Sequence, residues 1–163
     1  MKSAPLVTSL LVLSLMLGGA FRTAQAQDAS ALHGGWIVTS WTSAEGEVNS
    51  EPQRGLFLFT ATGQYSQMFV NTAEPRANLS AESTEEDVLA AYNSFTANSG
   101  RYTVEGDQLT YEAYMAKHPN YMAAFMTDEG NGQTLHWGIE DGILTLTWEN
   151  GRSATLRRPG GGS

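Results

Sequence analysis

The sequence predicts an all-β fold, an antiparallel meander β-barrel of about eight to nine strands with one amphipathic helix. Turn signals built from Gly, Asn, Asp or Pro recur every 8 to 15 residues between positions 32 and 158. The segments between them are rich in β-branched and aromatic residues, the composition that strands favour. Several of these segments are apolar on both faces, and such a strand needs cover on both sides. A small closed barrel with a helix on part of its outside supplies that cover.

The composition limits the chemistry that the chain can perform. It has 163 residues, a formal net charge of −8 and no cysteine, which suits one ordinary domain. The lack of cysteine excludes disulfides, thiolate metal ligands and a cysteine nucleophile. The acidic excess argues against nucleic acid and anionic membrane surfaces as partners, since both are bound by Lys and Arg patches. Stability is therefore expected to come from a packed core.

The first 26 residues have the layout of a signal peptide. Lys2 precedes an apolar run from Leu6 to Phe21, and small residues stand at Ala24 and Ala26, which is the pattern that signal peptidase cleaves. The run is shorter than the roughly 20 apolar residues of a spanning helix, which disfavours the alternative of an uncleaved anchor. We expect export to the periplasm or the medium, cleavage after Ala26 and no integral membrane segment in the mature chain.

The remainder divides into a barrel domain and a short tail. The barrel domain is expected at residues 27–158, and residues 159–163, which are Pro, three Gly and Ser, are expected to be a disordered tail. Residues 1–26 contain two basic side chains and no acidic one, so the mature chain of 137 residues has a net charge of −10. Lys117 is its single lysine.

The strands follow from the turns. Tight-turn pairs such as Asp141-Gly142 and Asn150-Gly151 supply the residues that hairpins need at positive φ. Simple alternation along the first strand places Trp36 and Val38 on the face opposite to Trp41. The predicted strands are Trp36–Thr42, Leu56–Thr60, Tyr65–Val70, Arg101–Glu105, Leu109–Met115, Tyr121–Thr127, Thr134–Glu140, Ile143–Glu149 and Ser153–Arg158.

One segment has helical rather than strand periodicity. Ser83 followed by Glu86 has the spacing of a capping box, and acidic residues fill the first turn, where the helix dipole favours them. Apolar side chains then recur at Val88, Tyr92 and Phe95, one face of a helix over about residues 84–97. Packing of this face on the barrel, or closure of the barrel as a lid, is favoured over the alternative of a partner-binding helix.

The opening of the first strand carries a resemblance. Residues 32–36 read L-H-G-G-W, and Arg157 and Arg158 stand on the last strand. A G-x-W motif at the start of a β-meander resembles the lipocalin/calycin superfamily. That resemblance implies that Trp36, with Gly34 before it, closes one end of the barrel beneath an arginine from the last strand, a cation–π contact. Strand alternation allows only one of the two arginines to reach Trp36.

Three motifs in the middle of the chain indicate a more specific family. A turn at Gly63-Gln64-Tyr65, a strand opening at Gly100-Arg101-Tyr102 and a turn at Pro119-Asn120-Tyr121 follow in that order. Together they resemble the bacterial and fungal lipocalin-like domain family over about residues 32–158. Members often carry a histidine-rich stretch before the last of these turns, whereas residues 109–116 contain no histidine. Histidine chemistry is therefore not carried over to this chain.

No catalytic, metal or cofactor motif is present. The three histidines, His33, His118 and His136, lack the spacing of a metal site. The sequence has no nucleophile elbow, P-loop or dinucleotide fingerprint. We therefore predict no catalytic residues, no metal and no cofactor.

The candidate binding residues are those that strands hold rigidly. Arg101 with Glu112 is either a structural ion pair or a clamp for a ligand carboxylate, and the structural pair is favoured. A barrel of this size is either filled by its own side chains or holds one small ligand, and the residue pattern leaves both open. The residues predicted to line the interior are Tyr65, Met68, Arg101, Tyr111, Glu112, Phe125 and Trp137.

The leading functional hypothesis is a barrel that binds a small hydrophobic or amphipathic molecule in its interior. One alternative is a cavity enzyme of the isomerase or cyclase type, which would need Arg101, Tyr111, Glu112 and His136 clustered on the inside. The other alternative is a structural barrel with a filled core.

Overall fold

A computed structural model describes residues 28–70, 72, 75, 76, 78–122 and 133–160. The predicted signal peptide lies outside the described residues, as does the predicted tail after Gly160. A short 3-10 helix, Ala29–Leu32, precedes the first strand. The remaining elements are β1 Gly34–Thr42, β2 Val48–Asn49, β3 Gly55–Phe59, β4 Gln64–Val70, α1 Glu85–Asn93, β5 Phe95–Glu105, β6 Gln108–Ala116, β7 Gln133–Glu140, β8 Ile143–Trp148 and β9 Ser153–Arg157.

The strands form a closed antiparallel barrel. Neighbours follow the order β1-β3-β4-β5-β6-β7-β8-β9, and β9 pairs back with β1. This closes an eight-stranded meander, and the two-residue strand β2 adds to the free part of β1 through Trp41 and Thr42. The predicted all-β meander barrel with one helix is confirmed. Among the described strands, closure leaves no long unpaired edge.

One predicted strand is wrong at its start. Residues 120–122 form a helical turn, in which the Tyr121 amide donates to the His118 carbonyl and the Met122 amide to the Pro119 carbonyl. Proline presets the helical φ in a first turn, which outweighs the β propensity of the aromatic residues. The rest of the predicted Tyr121–Thr127 strand lies outside the described residues, and so does Phe125.

Bulges change which face some residues occupy. The β1/β9 register shifts between Val38 and Ser40, so one extra residue returns Trp41 to the inside. There Trp41 packs against the core, and its predicted placement opposite to Trp36 is wrong. Alternation alone cannot detect a bulge.

A second bulge lies between β5 and β6. The register shifts at Ser99/Gly100, which leaves Tyr114 as the extra residue of β6. A Cβ on Gly100 would lie 1.9 Å from the Glu112 carbonyl oxygen. No side chain fits at this position, which explains the glycine that opens the Gly100-Arg101-Tyr102 motif.

Helix α1 is shorter than predicted and is capped one residue later. Thr84 is the N-cap, and its side chain and the Asp87 carboxylate exchange the two hydrogen bonds of a capping box. Ser83, the predicted cap, instead accepts a hydrogen bond from the Ser80 amide at 2.9 Å. Phe95 belongs to β5 rather than to the helix.

The apolar stripe of α1 is largely uncovered. Val88, Leu89 and Tyr92 are each about half exposed, and Ala91 is the buried residue of the helix. Of the predicted stripe, Val88 is not packed on the barrel, whereas the Tyr92 hydroxyl donates to the Lys117 carbonyl at 2.7 Å and Phe95 lines the cavity described below. The helix is attached mainly through its C-terminal end, as described below.

Candidate functional site

The end of the barrel at the start of β1, here called the closed end, is sealed by Trp36. Its indole Nε1 donates to the Leu32 carbonyl at 2.7 Å, and the Arg158 guanidinium lies 3.7 Å from the ring centre. Arg158 also donates to the carbonyls of Ala31 and Gly35, at 2.7 and 3.3 Å. Arg158 is therefore the arginine that covers Trp36, while Arg157 is exposed on the outer face of β9.

Gly34 is part of the same arrangement. Its φ is +106°, and a Cβ at this position would lie 2.8 Å from Nη1 of Arg158. A side chain would be strained by its backbone conformation and would displace the guanidinium. The L-H-G-G-W motif is thus explained by the contact between Trp36 and Arg158.

The half of the barrel next to the closed end is filled. Tyr65 and Tyr111 stack with their ring centres 4.4 Å apart, and Trp137 is also buried. Burial raises the pKa of both tyrosines well above the ordinary value. The filled core also contains Leu32, Val38, Phe57, Phe59, Tyr102, Leu109, Leu135, Leu144, Leu146, Ala154 and Leu156.

The opposite end, here called the open end, contains a cavity of about 520 Å³. Its walls include Trp41, Phe69, Phe95 and Trp148. The Trp41 ring centre lies 4.8 Å from that of Phe69 and 5.7 Å from that of Trp148. A volume in this range and aromatic walls are typical of small-molecule sites.

The cavity has a polar floor made by Gln67 and Asn98. These residues are cross-strand partners on β4 and β5, and they are only 3% and 9% exposed. The carbonyl oxygens of both side chains, and Nε1 of Trp41, are buried without a hydrogen-bond partner among the described residues. Tyr111, whose hydroxyl also lacks a described partner, reaches a smaller pocket of about 60 Å³ that shares Asn98.

The rim of the cavity carries basic side chains. Lys117, His118 and Arg152 line it. The Lys117 ammonium donates to the carbonyls of Tyr92 and Phe95 and lies over both rings, 4.2 and 4.8 Å from their centres. Desolvation, with a further contribution from the charge of Arg76, lowers the pKa of Lys117.

Lys117 and Arg76 together attach α1 to the rim. Arg76 donates to the Ser94 hydroxyl at 3.0 Å and to the Ala91 carbonyl at 3.2 Å. Its guanidinium lies 4.6 Å from the ring centre of Phe95. Two cations therefore bind the carbonyls at the C-terminal end of α1, where the helix dipole favours positive charge.

A second cavity of about 330 Å³ adjoins the first at the open end. It shares Trp41, Phe69 and Arg152 with the larger cavity and extends to Glu47 and Val48 on the side of β2. Both cavities therefore open beside Arg152.

Three of the predicted lining residues lie on the outer surface. Met68 is 49% exposed, because Gln67 before it points inward and adjacent strand residues face opposite sides. The Arg101 and Glu112 side chains pair on the outside, with Nε to Oε2 at 2.6 Å and 53% of the arginine side chain exposed. The prediction that Met68, Arg101 and Glu112 line the interior is wrong. Of the two readings of the pair, the structural ion pair is the observed one.

The cluster needed for the cavity-enzyme alternative is not assembled. Tyr111 is inside, whereas Arg101 and Glu112 are outside. His136 is also outside, where its Nδ1 lies 3.0 Å from the Asp107 carboxylate. Within the described ranges, no three His, Asp or Glu side chains come together as a metal site would require.

Tyr65, Tyr111 and Trp137 are the predicted lining residues that do lie inside. The predicted lining set omitted the polar floor (Gln67 and Asn98), the aromatic walls (Trp41, Phe69, Phe95 and Trp148) and the rim (Lys117, His118 and Arg152). A signal for the floor was present, because Gln67 lies two residues after Tyr65 and Asn98 two residues before Gly100, on the inward face of each strand. A buried polar side chain needs a hydrogen-bond partner, which a ligand or water in a cavity can supply.

Comparison with known proteins gives a family match and distant structural similarities. The sequence profile of the lipocalin-like domain matches residues 33–152. No curated protein sequence matches the chain.

Within the described part of the chain, no helix has the length and apolar character needed to cross a membrane.

Three solved structures are similar at low identity. A lipocalin-like protein from Bacteroides uniformis aligns with a TM-score of 0.47 and 17% identity, over 78% of this chain and 98% of its own. An uncharacterized protein from Bacteroides eggerthii aligns with a TM-score of 0.46 and 14% identity, over 78% and 98% of the two chains. A protein from Burkholderia xenovorans, solved by NMR, aligns with a TM-score of 0.41 and 14% identity, over 96% and 99%.

Proposed function

This chain belongs to the lipocalin-like domain family, and we propose that its barrel binds a small hydrophobic or amphipathic molecule in the cavity at the open end. The observation that carries the proposal is the combination of aromatic walls with the buried, unpartnered amide oxygens of Gln67 and Asn98. The closed end and its filled core then serve as the rigid support of the site.

The polar floor favours binding over a purely structural role. A buried amide without a hydrogen-bond partner costs about 1–3 kcal/mol relative to a satisfied one. A filled core would place apolar side chains at positions 67 and 98 and avoid this cost. Polar side chains there supply hydrogen bonds to the polar group of a ligand or to water that the ligand displaces.

The proposal can be tested with decanol, a neutral amphiphile, and an environment-sensitive naphthalene dye. We expect the purified protein to enhance the dye fluorescence and decanol to reverse the enhancement. The variant Trp148→Ala, which removes a cavity wall, is expected to weaken decanol binding. The matched control Trp137→Phe changes a buried tryptophan of the filled core and is expected to retain it. Dye binding that decanol does not displace, in a correctly folded protein, would contradict the proposal.

We also propose that the chain is exported. The support is the sequence pattern of residues 1–26. N-terminal sequencing of the protein from the native cells is expected to begin at Gln27, whereas an intact Met1 on membrane-bound protein would contradict export.

A further inference from the structure

We propose that the natural ligand is an anion, an apolar molecule with a carboxylate or similar negative group that is bound by Lys117 and Arg152 at the rim. This inference rests on the proposed function and specifies its ligand class. It comes from the distribution of charge around the cavity.

The cavity is basic in a protein that is strongly acidic overall. The chain has 17 acidic and 9 basic side chains. The described residues that line the larger cavity nevertheless include Lys117 and Arg152 and contain no aspartate or glutamate. Lys117 is partly buried and Arg152 is exposed. Water screens the charge of a partly buried cation less, so Lys117 attracts an anion more strongly than a cation on an open surface would.

Lys117 is fixed in place and retains binding capacity. Its ammonium has three N–H donors, and the carbonyls of Tyr92 and Phe95 accept two hydrogen bonds from it. No described carboxylate neutralises it. The aromatic and carbonyl contacts hold the ammonium at the rim. Little side-chain entropy therefore remains to be lost when a ligand accepts a hydrogen bond from the third N–H group.

Three of the five other arginines in the described part of the chain have side-chain partners within the fold. Arg101 is paired with Glu112, Arg158 covers Trp36, and Arg76 is bound to Ser94 and Ala91. The Arg152 side chain has no hydrogen bond or ion pair among the described residues. Arg152 acts on Glu45 through charge, and Glu47 lines the adjoining cavity.

The polar floor determines the orientation of the ligand. The carbonyl oxygens of Gln67 and Asn98 are the unpartnered atoms there, and oxygen atoms repel an anion. The negative group therefore binds at the rim, and the apolar body lies against Trp41, Phe69 and Trp148. Any polar group at the far end of the ligand is a hydrogen-bond donor, such as a hydroxyl.

The test compares three probes that differ in charge: decanoate, decanol and decyltrimethylammonium, each below its micelle concentration. We expect decanoate to bind roughly tenfold more tightly than decanol, since a charge-assisted hydrogen bond is about twice as strong as a neutral one. We expect decyltrimethylammonium to bind more weakly than either. The affinity for decanoate is expected to fall as salt is added, whereas the affinity for decanol stays unchanged.

The variant Arg152→Gln locates the effect. It is expected to weaken decanoate binding about threefold and to leave decanol binding unchanged. Arg157→Gln is the matched control, because it removes the same charge from the outer face of β9 and is expected to change neither affinity. The variant Lys117→Gln tests the second cation of the rim in the same binding assay. Circular dichroism would verify that α1 remains folded in this variant.

The outcomes separate this inference from the proposed function. Decanol binding that equals or exceeds decanoate binding would overturn the anion inference and leave the binding function standing. Equal effects of Arg152→Gln and Arg157→Gln on decanoate would also overturn it, because the attraction would then come from overall charge. Failure of all three probes to bind would contradict the proposed function itself.

Discussion

The two ends of the barrel are built from the same strands but satisfy their polar atoms differently. At the closed end, Nε1 of Trp36 and the guanidinium of Arg158 are both bonded to backbone carbonyls. At the open end, Nε1 of Trp41 and the side-chain oxygens of Gln67 and Asn98 are buried without described partners. In the filled core between the two ends, Nε1 of Trp137 and the Tyr111 hydroxyl also lack a described partner. The comparison therefore teaches that the open end is distinguished by unpartnered polar atoms that border a cavity of about 520 Å³.

The largest expected difference between the ends is the effect of removing a tryptophan. Trp36→Ala should lower the free energy of unfolding by about 3–5 kcal/mol, because it removes a fully buried side chain and its contact with Arg158. Trp148→Ala, at the partly buried wall of the cavity, should cost only about 1–2 kcal/mol. Urea denaturation of both variants provides the measurement. Equal losses would contradict the division of the barrel into a supporting end and a binding end.

Gly34→Ala is the next largest effect. We expect a loss of about 2 kcal/mol, since the new methyl group is strained at positive φ and collides with Arg158. Gly46→Ala is the matched control, because its φ is +89° and its Cβ would meet nothing within 4 Å. Thermal unfolding gives the loss of stability in each variant. The amount by which the loss for Gly34→Ala exceeds that for Gly46→Ala measures the collision with Arg158. Equal losses would show that the backbone conformation alone requires glycine there.

The tyrosine pair where the two halves meet predicts alkaline sensitivity. Burial raises the pKa of Tyr65 and Tyr111 above the ordinary value of 10, so both phenols stay neutral in the folded state while those of the unfolded chain ionise. Their contribution to stability is complete below pH 10 and is lost as the pH rises above it. The loss should be about 1 kcal/mol per pH unit for each tyrosine.

Urea denaturation at about pH 9 and about pH 11 tests this linkage. The double variant Tyr65→Phe/Tyr111→Phe is expected to lose less stability over this interval than the natural protein. Tyr121→Phe, which changes a half-exposed tyrosine, is the control and should behave like the natural protein. Identical pH dependence in all three proteins would contradict the inferred burial of the pair.

The smallest expected effect on stability comes from the polar floor. Gln67→Met keeps the side-chain length and removes a buried amide whose oxygen has no described partner, so the free energy of unfolding should stay the same or rise by about 1 kcal/mol. Binding of decanol should weaken in the same variant. A variant that loses stability and keeps its binding would place Gln67 in the supporting structure.

The fold could be predicted because its signals are local, whereas the contact of Arg158 with Trp36 at the closed end joins the two ends of the barrel sequence. Turn pairs and alternation define strands one at a time, and the motif around Gly34 and Trp36 indicated a contact with one of two arginines without deciding between them. Alternation also showed that Arg101 and Tyr102 face opposite sides. It could not show which side is the inside, and the choice of Arg101 as a lining residue was therefore wrong.

The open end was harder to predict because it depends on non-local geometry. The bulge in β1 that returns Trp41 to the inside is created by pairing with β9, which lies far away in the sequence. Lys117 and Arg152 meet the same cavity only after the meander has closed. Alternation places Gln67 on the strand face of Tyr65 and Asn98 on that of Tyr102, but the closed barrel was needed to show that these faces point inward.

Nuclear magnetic resonance of the indole N–H groups tests the central claim most directly. The chain has four tryptophans: Trp41 and Trp148 line the cavity, Trp36 seals the closed end, and Trp137 lies in the filled core. Addition of decanol should shift the indole signals of Trp41 and Trp148 in a saturable manner and leave that of Trp36 unchanged. A saturable shift of Trp36 with Trp41 and Trp148 unmoved would contradict binding at the open end.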